Sequence, residues 1–123
     1  MGREAARSGD SESGREGGQP PLDLRHLRDQ TLGRPDLEAE VLRLFVRQAR
    51  AQLELLRHEA ATAKRQASAH LLRGSALAIG AFNVAAAAAA VEASGADEVA
   101  MEDLRRAMSR ALAFILGRLG QSA

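Results

Sequence analysis

Hydrophobic residues recur every three or four positions along most of the chain between Leu22 and Leu119, which is the period of an amphipathic α-helix. In the longest such stretch, 36–58, the apolar stripe consists of Leu37, Val41, Leu44, Phe45, Ala49, Leu53 and Leu56. In the last stretch, 98–118, the stripe consists of Met101, Leu104, Met108, Ala111 and Ile115, and Leu119 continues it. Each stripe predicts a helix that buries one face against a shared core.

Turn and cap residues divide this pattern into helices, which are predicted over 23–30, 36–58, 61–79, 81–94 and 98–118. Asp36 and Asp97 are predicted N-caps, because a carboxylate at that position accepts hydrogen bonds from the free N–H groups of the first turn. Gly80 interrupts or bends the chain after the third helix, and Gly95 is predicted to end the fourth helix in the left-handed conformation.

The connections between these helices are short, which favours antiparallel neighbours. The predicted fold is therefore all-α: an antiparallel up-down four-helix bundle over 21–120, with a short additional N-terminal helix. The six alanines at 85–90 allow a neighbouring helix to approach closely. Residues 1–20 contain no Leu, Ile, Val or Phe, so they cannot bury enough apolar surface to offset the entropy of ordering the chain. This segment is predicted to be a disordered tail.

Composition narrows the chemistry that this chain of 123 residues can perform. It contains no cysteine, which excludes disulfides, thiolate catalysis and cysteine-bound metals. The 17 basic and 16 acidic residues give a net charge of +1, so there is no global preference for polyanions. No apolar run approaches the roughly 20 residues of a membrane span, and the N-terminus lacks the apolar segment of a signal peptide. We therefore expect a cytoplasmic protein.

The third helix carries the strongest candidate for a reacting group, His70. Helical geometry of about 100° per residue places His70, Arg73 and Gly74 in one sector of the helix. The core stripe of this helix, Ala69, Leu72, Ala76 and Ile79, lies roughly 130° away by the same geometry. His70 is therefore predicted to face solvent beside a cation and a residue without a side chain. A neutral imidazole in such a position is a nucleophile, although an ordinary exposed histidine has the same pattern.

Three segments in the second half of the chain form a known pattern. They are Ala-His-Leu-Leu-Arg-Gly-Ser at 69–75, Ile-Gly-Ala at 79–81 and Val-Glu at 91–92, the end of an alanine-rich helix. This pattern resembles the histidine-containing phosphotransfer (HPt) domain, whose usual pattern is His-x-Leu-Lys-Gly-Ser followed by Leu-Gly and an alanine-rich helix. The likeness extends from about Leu22 to Leu119. Arg73 stands where the family usually has lysine, and it offers a planar fork instead of a point charge.

The resemblance implies that His70 accepts a phosphoryl group at Nε2 and relays it between aspartates of response-regulator receiver domains, which supply the magnesium. A hybrid sensor histidine kinase is a further implied partner. Arg73 would neutralise phosphoryl charge, and Gly74, one turn beyond His70, would leave room for the receiver. Ser75 lies at the edge of the core sector, so both a structural hydrogen bond and a phosphate contact remain open. The chain is expected to be a monomer without a cofactor, a metal or catalytic activity of its own.

Glu92 is the most distant residue assigned to this site. Glu92 lies twelve residues after Gly80, and His70 lies ten residues before Gly80. If the two helices fold back on each other at Gly80, these side chains reach similar heights. In the HPt-like domains of chemotaxis kinases a glutamate at this spacing hydrogen-bonds the second ring nitrogen of the histidine, whereas other HPt proteins have glutamine there. A solvated glutamate near the helix end is the alternative.

Two other functions fit parts of the same sequence. A degenerate HPt-like bundle would bind a receiver or a kinase without being phosphorylated, and a helical adaptor would use exposed apolar residues as a docking face. Arg43, Arg47 and Arg50 share a helix face, but Glu40 and Glu54 alternate with them, which favours a solvated face over nucleic-acid binding. The sequence has no Walker A loop, dinucleotide-binding glycine motif or His-Glu-x-x-His motif. His26 and His58 are predicted to be solvated or helix-end histidines.

Overall fold

The computed structural model describes residues 19–120, which are all-helical and contain no strand. The helices in this range are α1 (Leu24–Gln30), α2 (Pro35–His58), α3 (Thr62–Ile79), α4 (Phe82–Ala93) and α5 (Glu98–Arg118). Their ends lie within one residue of the predicted ends, so the five predicted helices are confirmed. The predicted N-terminal tail, apart from Gln19 and Pro20, lies outside the described residues. Within 19–120 no helix combines the length and the apolar character that crossing a membrane requires.

The four longer helices contact one another in a closed ring. α2 packs against α3 and α5, and α4 also packs against α3 and α5, while the short α1 lies on α3. A hydrogen bond from Arg118 to Glu38 joins the last turn of α5 to the first turn of α2. This bond raises the pKa of the Arg118 guanidinium, because it favours the charged form.

The core at the centre of this ring is aliphatic, with Phe45 as its largest fully buried side chain. The predicted stripe of α3 is confirmed, since Ala69, Leu72, Ala76 and Ile79 are all buried. The α5 stripe is buried from Met101 to Ile115, and Leu119 packs against its edge. These two helices are therefore rotated as their apolar periodicity predicts.

The predicted stripe of α2 was partly wrong. Leu44 is 45% exposed, whereas Leu42 and Val46, which the predicted stripe omitted, are buried. The α2 sequence contains two overlapping apolar stripes that share Phe45 and Ala49, and helical periodicity alone does not choose between them. Contacts with both α3 and α5 select the stripe that contains Leu42.

The predicted cap at Asp36 was also wrong, whereas the cap at Asp97 is confirmed. Arg34 is the N-cap of α2, because Pro35 suits the first helical position: its fixed φ is helical and it has no N–H to satisfy. Asp36 lies in the first turn, where its carboxylate accepts a hydrogen bond of 3.0 Å from Arg34. Asp97 Oδ2 accepts hydrogen bonds from two backbone N–H groups of the first turn of α5.

Gly80 ends α3 in the left-handed conformation, with φ of +90°. The backbone N–H of Ala81 donates to Ala76 O at 2.9 Å, which closes the end of α3 and lets α4 begin at Phe82. The carbonyl of Gly80 accepts a hydrogen bond of 2.9 Å from the N–H of Asp23, the N-cap of α1. This single residue therefore turns the chain and joins α1 to the junction of α3 and α4.

His26 departs from the prediction that it is solvated. Its side chain is half-buried, with Nε2 3.2 Å from Ala78 O and the ring edge-to-face with Phe82 at a centroid distance of 5.2 Å. These contacts hold α1 on the same junction as Gly80. His58 is exposed at the end of α2, as predicted, with Nε2 2.7 Å from a carboxylate oxygen of Glu54.

Candidate functional site

His70 lies on the outer face of α3, and its side chain is 62% exposed. The core residues Ala69 and Leu72 on either side of it are buried, and they set the rotation that turns the imidazole outward. His70 Nδ1 is 2.8 Å from Glu92 Oε2, a hydrogen-bond distance. The contact expected from the spacing around Gly80 is therefore present.

The turn at Gly80 explains how α4 brings Glu92 to this point. With a rise of about 1.5 Å per residue, ten helical residues span about 15 Å and twelve span about 18 Å, so the two side chains reach similar heights. Val91 is fully buried, which fixes the rotation of this end of α4 and turns Glu92 towards α3. Gln66 Nε2 also donates to the backbone carbonyl of Glu92 at 2.7 Å.

Arg73 joins the same cluster through its ion pair with Glu92. Its Nε atom lies 3.0 Å from Glu92 Oε1, and its Nη2 atom lies 3.5 Å from His70 Nδ1. Although Nε is buried and close to the carboxylate, its N–H is not aligned for a hydrogen bond with any residue of the described range. Charge therefore holds the guanidinium in place more than directed bonding does. One carboxylate thus serves both His70 and Arg73.

The Glu92 contact decides the tautomer of the imidazole. An ionised carboxylate only accepts hydrogen bonds, so Nδ1 carries the proton and donates it to Glu92 Oε2. In the neutral ring the lone pair then lies on Nε2. The guanidinium of Arg73 is also a donor, so its 3.5 Å approach to Nδ1 is a contact between two donors, both drawn to Glu92.

Gly74 and Ser75 have different surroundings. Gly74 is exposed, and a Cβ atom built on it would meet nothing within 4 Å, so the glycine is not required for packing. Ser75 Oγ donates to Gln48 Oε1 of α2 at 3.3 Å, away from the His70 cluster. The structure therefore gathers His70, Arg73 and Glu92, leaves the surface beside them open at Gly74, and places Ser75 at the contact between α2 and α3.

Gln66 is the residue of this site that sequence reasoning missed. It lies four residues before His70, so the two share a helix face, and this spacing was the available signal. Its hydrogen bond reaches the main chain of Glu92, not a side chain. Nothing in the α4 sequence marks such a backbone acceptor.

Exposed leucines lie on both α2 and α3. Leu71 is 59% exposed, Leu77 is 44% exposed and Leu44 of α2 is 45% exposed. We call these three residues the leucine surface. Within residues 19–120 no group of three or more His, Asp or Glu side chains is arranged to hold a metal ion. The arrangement as a whole presents an oriented imidazole nitrogen beside a cation and an apolar surface.

No protein-family model matches the chain, and searches of curated proteins and of solved structures find no significant match. The resemblance to HPt domains therefore rests on the motif residues.

Proposed function

We propose that this chain is a phosphoryl carrier in which His70 accepts a phosphoryl group at Nε2 and relays it between aspartates of receiver domains. The observation that carries this proposal is the hydrogen bond of 2.8 Å between His70 Nδ1 and Glu92 Oε2 on an imidazole that is 62% exposed. This bond orients the ring and leaves the lone pair of Nε2 available to an incoming group.

In the proposed step the Nε2 lone pair attacks the phosphorus of an aspartyl phosphate. The bond between phosphorus and the aspartate oxygen breaks, and its electron pair leaves with the receiver carboxylate. The phosphorylated ring becomes cationic, and Glu92 stabilises it through the Nδ1 proton. The reverse reaction on a second receiver returns His70 to its neutral form. The receiver supplies the magnesium ion, so the chain itself needs no metal and no catalytic activity.

Arg73 has the role of charge neutralisation in this proposal. Its guanidinium is close to His70 and is held by an ion pair whose N–H is poorly aligned. Rotation of the side chain would let it exchange Glu92 for the phosphoryl oxygens, which suit the planar fork of arginine. Glu92 would keep its hydrogen bond to Nδ1 throughout.

The leucine surface supports the partner part of the proposal. A receiver that reaches His70 would also cover Leu71 and Leu77, and burial of apolar side chains is favourable. We further propose that the four longer helices form an antiparallel up-down bundle and that the chain acts as a cytoplasmic monomer. A hybrid sensor histidine kinase would be the upstream partner, with no role for nucleic acid or membrane.

The same leucine surface favours one alternative, an adaptor that binds a receiver or a kinase domain without being phosphorylated. Such a protein would need the exposed leucines but not the oriented Nε2. The two proposals differ in whether a stable phosphoryl group appears on the chain.

The experiment that separates them is phosphotransfer profiling. The protein is mixed with a panel of receiver domains, each carrying radiolabelled aspartyl phosphate, and label on the protein is followed over time. Transfer of acid-labile, base-stable phosphate supports the carrier. Binding to a receiver without any such label supports the adaptor and overturns the carrier.

We expect Gly74→Gln to separate function from stability. Glycine inside a helix costs roughly 0.5–1 kcal/mol relative to alanine, and the site has open space, so the variant should be slightly more stable. The new side chain lies one turn from His70 and should slow phosphotransfer by about tenfold or more, because it displaces the receiver from a productive geometry. Thermal unfolding and transfer rates measure the two effects.

Gly117→Gln is the matched control for this experiment. Gly117 is also a helical glycine with open space around it, but it lies in α5. The control should not slow transfer. Normal transfer by Gly74→Gln would contradict the access argument, and loss of folding would show that Gly74 has a packing role.

We expect Glu92→Ala to remove the preference for the tautomer that carries its proton on Nδ1. Transfer should slow by about 10-fold to 100-fold, as it does when a supporting carboxylate is lost at other histidine sites. The ¹⁵N chemical shifts of the His70 ring report the tautomer directly. Glu98→Ala is the control, because Glu98 is an exposed acid that pairs with Arg65 at 3.4 Å, away from His70. Unchanged ring shifts in Glu92→Ala would show that Glu92 does not orient the imidazole and is an ordinary surface glutamate.

A further inference from the structure

A second surface, formed by α2 and α5, carries arginines that the phosphoryl site does not use. Two clefts follow each other along the line where these helices meet, and five arginines line them: Arg43, Arg47, Arg50, Arg57 and Arg105. We call this pair of clefts the arginine groove. His70 and Glu92 belong to α3 and α4, so the groove is a separate surface from the site described above.

Residues 19–120 compensate the charge of this groove only in part. No carboxylate of residues 19–120 lines either cleft. Two acids of α2 have partners outside the groove, since Glu54 is bound to His58 and Glu38 to Arg118. Glu102 of α5, in contrast, is bound to the groove residue Arg105 and compensates its charge. The four arginines that α2 contributes form no ion pair within the described range.

The groove is also partly apolar. Val46, Leu116 and Leu119 line the first cleft, and Leu53 lines the second. All four belong to the core or pack against its edge, so they form a fixed apolar floor between the two helices. A simple anion would gain nothing from such a floor, whereas an apolar side chain would.

The size of the groove sets the length of what it can hold. Arg43 and Arg57 are fourteen residues apart on one helix, which corresponds to about 21 Å, or about four helical turns. We propose that the arginine groove binds an acidic amphipathic helix of about four turns from a partner protein. Its carboxylates pair with the α2 arginines, and its apolar residues pack on Val46, Leu116 and Leu119.

A protein helix fits this surface better than a nucleic acid does. The phosphate backbone of a nucleic acid is a continuous line of charge that would also lie against Glu40 and Glu54 on the arginine-bearing face of α2. A helix can instead place its carboxylates opposite the arginines and uncharged residues opposite these two acids. The net charge of +1 provides no long-range attraction for a polyanion. Exposed ion pairs also contribute little individually, so the apolar floor has to supply part of the affinity.

The test is a selection from a displayed library of random 16-residue peptides on the full chain. Peptides that also bind the triple variant Arg43→Gln, Arg47→Gln, Arg50→Gln are then removed from the selection. The control variant is Arg25→Gln, Arg28→Gln, Arg110→Gln, which removes the same charge from exposed positions outside the groove. Circular dichroism of both variants verifies folding before the selection. The affinity of the chain is then measured for the enriched peptides, for a double-stranded DNA oligonucleotide and for a second copy of the chain.

The proposal expects enriched peptides with Asp or Glu at i, i+3 or i+4 spacing and apolar residues on the adjacent face. Their affinity should fall about tenfold or more in the groove variant and remain unchanged in the control variant. Replacing their apolar residues with serine should also weaken binding. Enrichment of peptides without acidic residues, or no enrichment that depends on the groove, would overturn the proposal. So would a groove-dependent affinity for the DNA or for a second copy that exceeds the affinity for every peptide.

Discussion

His70→Gln is expected to abolish the acid-labile phosphoryl label completely while leaving the protein folded. Glutamine has no nucleophilic ring nitrogen, so no phosphoramidate can form. The side chain is 62% exposed and lies outside the core, and substitutions at such positions usually change the free energy of unfolding by no more than about 0.5 kcal/mol. Label transferred from a phosphorylated receiver and the thermal midpoint are the two measurements.

The other two histidines serve as controls that the chain itself provides. His58→Gln should retain full labelling and full stability, because His58 is exposed at the end of α2 and its ring pairs with Glu54, which is also exposed. His26→Gln should retain labelling but lose some stability, since it removes the ring that packs on Phe82 and whose Nε2 lies 3.2 Å from Ala78 O. Its transfer assay is therefore run well below its thermal midpoint.

These controls make the outcome unambiguous. Normal labelling of His70→Gln would refute the carrier function of this residue. Loss of labelling in all three variants would point to a shared folding defect, which the thermal midpoints would reveal. Loss in His70→Gln alone, with an unchanged midpoint, is the expected result.

Local signals in the sequence were sufficient for the helices and their order. The period of the apolar residues, the cap at Asp97 and the glycine at Gly80 each act within a few residues, so they can be interpreted without knowledge of the fold. For α3 and α5 they also gave the rotation of the helix, because each has one dominant apolar stripe. The helix ends consequently agree with the prediction to within one residue.

Tertiary contacts determined what those signals left open. α2 has two possible stripes, and only its packing between α3 and α5 shows that Leu42 is buried and Leu44 is exposed. His26 has charged neighbours and looked solvated, but the position of α1 on α3 turns its ring onto Phe82. The pattern of apolar residues contains no information on such contacts between distant elements, unless a motif includes residues from both elements.

In the candidate site, too, some features follow from local sequence signals and others depend on tertiary contacts. Exposure of His70 follows from its angle to the α3 stripe, and its distance to Glu92 follows from equal heights on either side of Gly80. The shared carboxylate, which Arg73 approaches at 3.0 Å, could not be predicted, because it depends on the side-chain rotamers of three residues. Gln66 was missed because its partner is a backbone carbonyl on another helix.

Gly80→Ala is expected to produce the largest loss of stability of any single alanine variant proposed for this chain. The backbone at Gly80 has φ of +90°, which costs an L-residue with a side chain roughly 1–2 kcal/mol. A Cβ atom there would lie 3.0 Å from the backbone oxygen of Asp23 and 3.2 Å from the His26 ring. The backbone oxygen cannot move without disturbing the first turn of α1, because it accepts the hydrogen bond from Leu27 N–H at 3.0 Å.

We therefore expect Gly80→Ala to lower the free energy of unfolding by about 2–3 kcal/mol, the sum of backbone strain and displaced α1 contacts. Gly74→Ala is the matched control: it lies inside α3 in open space and should raise the free energy of unfolding by roughly 0.5–1 kcal/mol. Urea denaturation measures both, with the midpoint reporting stability and the slope reporting any change in exposed surface.

A third variant separates the two sources of the Gly80→Ala effect. The double variant Gly80→Ala with His26→Ala removes the His26 ring that the new Cβ would meet, but it leaves φ, the Asp23 oxygen and the His26 Cβ atom unchanged. If strain and the backbone contact dominate, Gly80→Ala should cost nearly as much in the His26→Ala background as in the native one. If the His26 ring dominates, the cost should largely disappear. Equal and small effects of Gly80→Ala and Gly74→Ala would contradict the left-handed turn that brings α4, and with it Glu92, back to His70.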